Sequence, residues 1–214
     1  MKTLKFDIYD IELINDSTYT IGSADNNFNY DFVYHDNESL EYRPFNHGVK
    51  LYKDGQLIKS AVVCAVGGAT GISENSVIID QDNILICCAD KLFCLKLPEL
   101  TLNWITQTDL ATCFGVYKAD NGIFTHGELN VTRLDKKGNV IWQTGLRDII
   151  VNIDYEKSCF ILYDNFIELL DFNSNKYQLD FNGNFINETL SETQKRFDLI
   201  DGKRSQRKWW KIWN

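Results

Sequence analysis

The chain has 214 residues, 44% of them apolar and 13% aromatic, with only two prolines and a formal net charge of −8 from 22 basic and 30 acidic residues. That length suits one domain, residues 1–214, around a full core, and that composition excludes a disordered chain. No apolar run approaches a membrane span, and "MKTLKFDIYDIELIND" carries acids where a secretory signal needs its apolar core, so a cytoplasmic protein is expected.

From the N-terminus, "LKFDIYDIELI" and "STYTIG" both read as strands. Residues 32–59 follow, "FVYHDNESLEYRPFNHGVKLYKDGQLIK", the weakest of four similar segments. The other three are residues 77–104 ("VIIDQDNILICCADKLFCLKLPELTLNW"), 115–142 ("GVYKADNGIFTHGELNVTRLDKKGNVIW") and 151–178 ("VNIDYEKSCFILYDNFIELLDFNSNKYQ"). Each has a short apolar strand ending in a polar residue (His35, Asp80, Lys118, Asp154), two further apolar stretches, a turn such as "KDGQ" or "DKKGN", and a closing strand. Each therefore predicts a four-stranded antiparallel meander. A unit of that kind recurring about every 40 residues marks a β-propeller-like array. "LDFNGNFINETL" near the C-terminus holds one more Asn-Gly turn. Together with the N-terminal strands it predicts a fifth blade that closes a ring. The alternatives are an open array of four units or a β-sandwich.

"LDKKGNVIW" resembles the Asp–turn–Gly–strand–Trp ending of blades in the pyrroloquinoline-quinone type of propeller repeat. The resemblance implies a tryptophan that docks between neighbouring blades, a position held by Trp104 and Trp142 and replaced by Lys59 and Gln178 in the other two segments. The turn is one residue shorter than that family's usual pattern. Only the fold is implied; no quinone site carries over, and no cofactor is expected.

The glycine-rich "AVGGATG", residues 65–71, follows an apolar strand but leads back into strand pattern, with no lysine before Lys91. A phosphate-cradling loop has to open a helix, so a loose crossover between the first and second repeats is expected instead. The six cysteines lie in apolar runs without zinc spacing and read as small buried hydrophobes. Three histidines, His35, His47 and His126, are too scattered to indicate a metal site, and no catalytic motif is present.

The last twelve residues, "KRSQRKWWKIWN", hold five basic and no acidic residues, so the rest of the chain is more acidic than the net charge shows. At helical spacing the basic residues share one face and Trp209, Trp210, Ile212 and Trp213 the other, which predicts a short amphipathic C-terminal helix over 203–214. "SETQKRFDLI" could extend it upstream, with Ser191 as cap. Packing on the protein's own body is the expected role of this tail.

The acidic loops "HDNESLE" (35–41), "DQD" (80–82) and "DYE" (154–156) point to a basic protein partner and away from nucleic acid. The leading expectation is a non-catalytic protein-binding module, such as an immunity-type inhibitor that covers the basic site of a toxin. Its partner-binding residues would be His35, Asp80, Asp82, Lys118, Glu128 and Asp154, with Trp209, Trp210 and Trp213 from the tail. One alternative is a small-ligand or metal-dependent enzyme using the axial mouth around His35, Asp80, Lys118 and Asp154. The other is a peripheral membrane adaptor working through the tail.

Overall fold

Strands β6 (Val77–Asp80), β7 (Asn83–Cys88), β8 (Lys91–Lys96) and β9 (Thr101–Gln107) form one antiparallel sheet in chain order in the computed structural model, which describes residues 1–119, 122–152 and 158–199. The sequence here is continuously apolar because the sheet is buried on both faces. Ile84, Ile86, Phe93 and Leu95 pack into one core, while Leu85, Cys87, Leu92 and Cys94 pack into another. Successive side chains of a strand point to opposite faces, so one unbroken run fills two cores. Two-residue turns at Gln81–Asp82 and Ala89–Asp90 set the register, with Gln81 and Ala89 at positive φ.

One face of this sheet meets strands β1 (Lys2–Phe6), β2 (Tyr9–Asn15), β4 (Phe45–Lys53) and β5 (Gln56–Ala65). These four pair antiparallel, and β3 (Phe32–His35) joins the far side of β5 in parallel. The first meander therefore begins at residue 2, and segment 32–59 is not a repeat in its own right. Its β3 pairs with the wrong partner and in the wrong sense for a meander. The reason is an insertion between β2 and β4. Tyr19 and Tyr30 pack with Ile21 and Phe28 over Val62 and Cys64 on the face of the sheet turned away from the β6–β9 core. "STYTIG" is irregular instead of a strand, because its backbone is tied locally: the Thr20 amide donates to Asn26 Oδ1 (2.8 Å), and Asn26 Nδ2 donates back to the Thr20 carbonyl (2.8 Å). Within the insertion, α1 (Glu38–Glu41) is a single turn anchored by the buried Ser39.

The other face of the β6–β9 sheet meets β10 (Cys113–Ala119), β11 (Gly122–Gly127), β12 (Asn130–Leu134) and β13 (Val140–Gly145), again a four-stranded antiparallel sheet in chain order. Strand β10 lies beside β6 and β7, and Cys113 Sγ sits 3.3 Å from Cys87 Sγ. The cysteines behave as small hydrophobes: Cys64, Cys87, Cys88, Cys94 and Cys113 are buried as free thiols, and burial pushes the Cys87 and Cys88 thiols up. The glycine-rich crossover is not loose. The Gly68 amide donates to the Ala111 carbonyl at 2.7 Å, and a Cβ at Gly68 would overlap Thr112 Oγ1. These glycines serve close backbone approach.

These three sheets form a unit spanning Met1–Gly145; a second unit begins at Leu146. It holds a fourth antiparallel sheet, β14 (Phe160–Leu162), β15 (Phe166–Leu170), β16 (Lys176–Asp180) and β17 (Phe185–Thr189). Residues 185–189 close this sheet instead of contributing to a fifth one, and the N-terminal strands belong to the first sheet. The sequence placed the fourth repeat one strand too early because "LDFNSN" and "LDFNGN" make the same turn. Asp171 Oδ1 accepts the Asn175 amide at 2.9 Å, as Asp180 Oδ1 accepts that of Asn184 at 2.9 Å. A helix, α2, is described over 192–199, and Ser191 caps it: Ser191 Oγ accepts the Gln194 amide at 3.1 Å. The protein is thus all-β, an array of propeller-like four-stranded meanders followed by a short helix. Residues 203–214 lie outside the described part.

Candidate functional site

The first unit has two ends, and the chemistry differs between them. At the hairpin end, where β6 turns into β7, Asp80 pairs with Lys118 and Asp82 with Lys96. The Lys96 hydrogen bond holds the Asp82 carboxyl below its ordinary value. The repeat alignment correctly brought Asp80 and Lys118 together. Each expected acid here has a lysine on it, however, so this end is not an open acidic face.

The remaining expected residues lie elsewhere. His35 ends the outermost strand of the first sheet, its Nδ1 2.8 Å from the Asp36 carbonyl, and Asp36 bonds to Lys91 across from the β7–β8 turn. Lys91 and Asp80 sit at opposite ends of the β6–β9 sheet, on the order of 15 Å apart along the strands. Glu128 follows β11 at the same end as Lys91 and accepts from Thr112 Oγ1 at 3.0 Å. His35, Asp80 and Glu128 therefore do not form one cluster. Asp154, Trp209, Trp210 and Trp213 lie outside the described residues.

The crossover end carries the groups that sequence reasoning missed. Lys91 is buried against Asp36 (2.7 Å) and Asp90 (2.8 Å), with Gln107 Nε2 donating to Asp90 at 2.6 Å. Burial pulls the Lys91 ammonium down, but those two carboxylates outweigh it and hold the group above the usual lysine value. Its only sequence signal was "ADK", a charge pair inside an apolar run. Asp109 has no exposure, and its carboxylate accepts four backbone amides: Ala111 (2.7 Å), Thr112 (3.0 Å), Leu129 (2.9 Å) and Asn130 (2.7 Å). It ties the β9–β10 crossover to the β11–β12 turn. Nothing in "QTDLATC" announces that role.

Two features of this end face outward. First, α1 presents Glu38, 65% exposed at its side chain, with Leu40 at 60%, and Tyr42 just beyond it at 64%. The Asp36–Lys91 pair fixes the base of this projection, and the Asp36 carboxylate also accepts the Ser39 amide and hydroxyl at 2.9 and 2.7 Å. Second, a pocket of about 400 Å3 opens between the end of β2 and the start of β4, lined by Asn15, Ser17, Arg43, Pro44, Phe45, Asn46, His47 and Thr70. His47 forms part of its wall, and burial pushes its pKa down to about 4. Among the described residues, no group of three His, Cys, Asp or Glu side chains gathers as metal ligands, and no described helix is long and apolar enough to cross a membrane.

No protein-family model matches the chain, and no curated protein matches it. Among solved structures it is similar to the computationally designed Ika8 protein, at 12% identity over 69% of this chain and 46% of that one, with a TM-score of 0.47. It is similar also to BamB from Moraxella catarrhalis, at 11% identity over 69% of this chain and 46% of that one (TM-score 0.46). The AfRom2 CNH domain matches at 9% identity over 68% of this chain and 48% of that one (TM-score 0.42). The chain spans about half the length of each.

Proposed function

We propose that this chain is a non-catalytic, cytoplasmic protein-binding module whose partner is a basic protein, in the manner of an immunity-type inhibitor. The observation that carries this reading is the α1 projection. Glu38 and Glu41 stand beside exposed Leu40 and Tyr42 on a turn tied to the sheet by Ser39 and the Asp36–Lys91 pair. An aromatic and an aliphatic side chain flanked by carboxylates offer a basic partner both an apolar anchor and electrostatic steering. The acidic balance of the body acts in the same sense. An enzyme working at Asp80 and Lys118 gains less support, because those two groups neutralise each other.

The repeat family is part of the same reading. The Trp104 ring lies where a Cβ on Gly138 would project, and Thr106 Oγ1 donates to the Gly138 carbonyl at 2.7 Å. A tryptophan from one sheet covering the final turn of the next supports membership of the pyrroloquinoline-quinone type of repeat.

The test is affinity capture from lysate with the full chain and a Leu40→Ser/Tyr42→Ser variant in parallel, read by mass spectrometry. A stoichiometric basic protein held by the native chain, lost with the variant and weakened by salt is the expected result. Capture that ignores the variant would remove α1 from the interface. A partner lost only on truncation after residue 202 would move the site to the tail tryptophans.

A further inference from the structure

The β14–β17 sheet leaves one of its faces open. It turns Ile167, Leu169, Tyr177 and Leu179 to one side, where all four are buried. The opposite side carries Ile161, Glu168 and Gln178 in one cross-strand row, with Phe166 and Leu170 two residues either way from Glu168 along β15. There Ile161 is 38% exposed, and Tyr163, stacked on Phe166 with 4.4 Å between ring centroids, is 42% exposed. A recess of about 210 Å3 opens in this face between Ile161, Glu168, Leu170 and Lys176, with room for one indole ring. The end units of a stacked array need a cap. The first sheet has one from its own chain, the insertion that lays Tyr19 and Tyr30 over Val62 and Cys64.

Charge and chain length identify the occupant of the open face. Residues 146–199 hold ten acidic and five basic side chains, whereas residues 203–214 hold five basic and no acidic ones. Around the face stand Asp164 in the β14–β15 turn, Glu168 and Asp180, against one base, Lys176, which lies 3.8 Å from the Glu168 carboxylate. Helix α2 starts beside the recess: the Ser191 amide donates to Asn175 Oδ1 at 2.8 Å, next to Lys176. Its eight residues span about 12 Å and the four steps from Leu199 to Lys203 at most about 14 Å, which is less in total than the roughly 40 Å that twelve extended residues cover. Residues 203–214 are therefore within reach of the recess, and their three tryptophans and isoleucine suit its apolar wall as their cations suit its acidic rim. We infer that the open face of the β14–β17 sheet is the docking surface for residues 203–214 of the same chain, with a tryptophan in the recess and basic side chains along Asp164, Glu168 and Asp180. The tail is the cap of this sheet and is not a free arm for a membrane or a partner. This docking is independent of the α1 projection.

The experiment labels the full chain with fluorotryptophan and reads fluorine NMR, each signal being assigned by a tryptophan-to-phenylalanine change. The signals of Trp209, Trp210 and Trp213 should be dispersed and unchanged on dilution. In Ile161→Ser and in Glu168→Lys they should move to the positions of the free 203–214 peptide, while Trp104 and Trp142 hold theirs and so report an intact fold. Trypsin should cut the basic sites of the tail at least roughly tenfold more slowly in the native chain than in the free peptide, the factor expected of one buried indole, and both variants should lose that protection. Leu40→Ser/Tyr42→Ser should leave all of the signals in place, so that failure of the α1 reading and failure of this one are read separately. Tail signals that match the free peptide in the native chain overturn the proposal. So does a native pattern that survives both variants at the recess, moves with the α1 variant, or changes on dilution. Ordering of the tail only on vesicles of anionic phospholipid would overturn it in favour of a membrane role.

Discussion

Asp109 and His47 show how much of this protein rests on single buried polar groups. Four backbone amides converge on the Asp109 carboxylate. Asp109→Ala leaves those donors in a place without water, so it should destabilise the protein by roughly 3–5 kcal/mol. Urea unfolding should show this as a lower midpoint at an unchanged slope. A loss below about 1 kcal/mol would mean that water replaces the carboxylate. His47 acts through protons. Its pKa is about 4 in the folded protein because burial disfavours the imidazolium, against about 6.5 when the chain is unfolded. Between those values the unfolded state binds more protons, so stability is full above about pH 6.5 and falls as pH drops towards 4. The loss should be on the order of 3 kcal/mol across that window. Unfolding series at pH 7 and pH 5 on the native chain and His47→Gln test it: the variant should lose most of the slope. Neither role was legible in the sequence. Asp109 looks like any loop aspartate, and His47 gains its character from Thr70 and Ala89, which lie far along the chain.

Turns and sheets are where the sequence spoke most clearly. Asp135 Oδ1 accepts the amides of Lys137 (2.8 Å) and Asn139 (2.9 Å), and Asp180 does the same with Asn182 (2.8 Å) and Asn184 (2.9 Å). The side-chain amides of Asn139 and Asn184, which donate to the second carboxylate oxygen at 2.8 and 2.9 Å, together with these backbone amides hold both carboxyls below their ordinary value. Local bonding of this kind needs only five consecutive residues, which is why the turns could be read in advance. Gly138 carries a second demand that is not local. Its φ is +82°, and a Cβ there would meet Trp104 of the neighbouring sheet at 2.4 Å. Gly55 has a similar φ of +75° with open space around it. Gly55→Ala should therefore cost only the backbone strain, about 1–2 kcal/mol, while Gly138→Ala should cost clearly more because the indole must also move. Equal midpoint shifts for the two variants would show that Trp104 contributes nothing at that turn. The first sheet was read less well. Its insertion sends β3 to pair in parallel with β5, and parallel pairing between distant strands leaves no turn in the sequence to announce it.

At the scale of the molecule, the chain divides after Gly145, and both cores built on the β6–β9 sheet lie wholly before that point. Residues 1–145 alone should therefore unfold cooperatively in urea and keep near-UV circular dichroism. A broad, probe-dependent transition would mean that the second unit is needed for the first to fold. The amino-acid sequence by itself determined the all-β class, the two central meanders and their hairpin turns. Those follow from short apolar, β-branched runs and from turn residues that act within a few positions, and such rules need no tertiary partner. It also brought Asp80 to Lys118, because equivalent positions of adjacent repeats meet in space. Only the tertiary structure decided that this pair is self-neutralising and that the open chemistry lies at the other end. There Asn15, Arg43, His47 and Thr70 come from a strand end, an insertion and a crossover loop. Residues so far apart in the chain share no spacing that a sequence could display. They meet only because the Met1–Gly145 cores bring β2 and β4 against the crossover between β5 and β6.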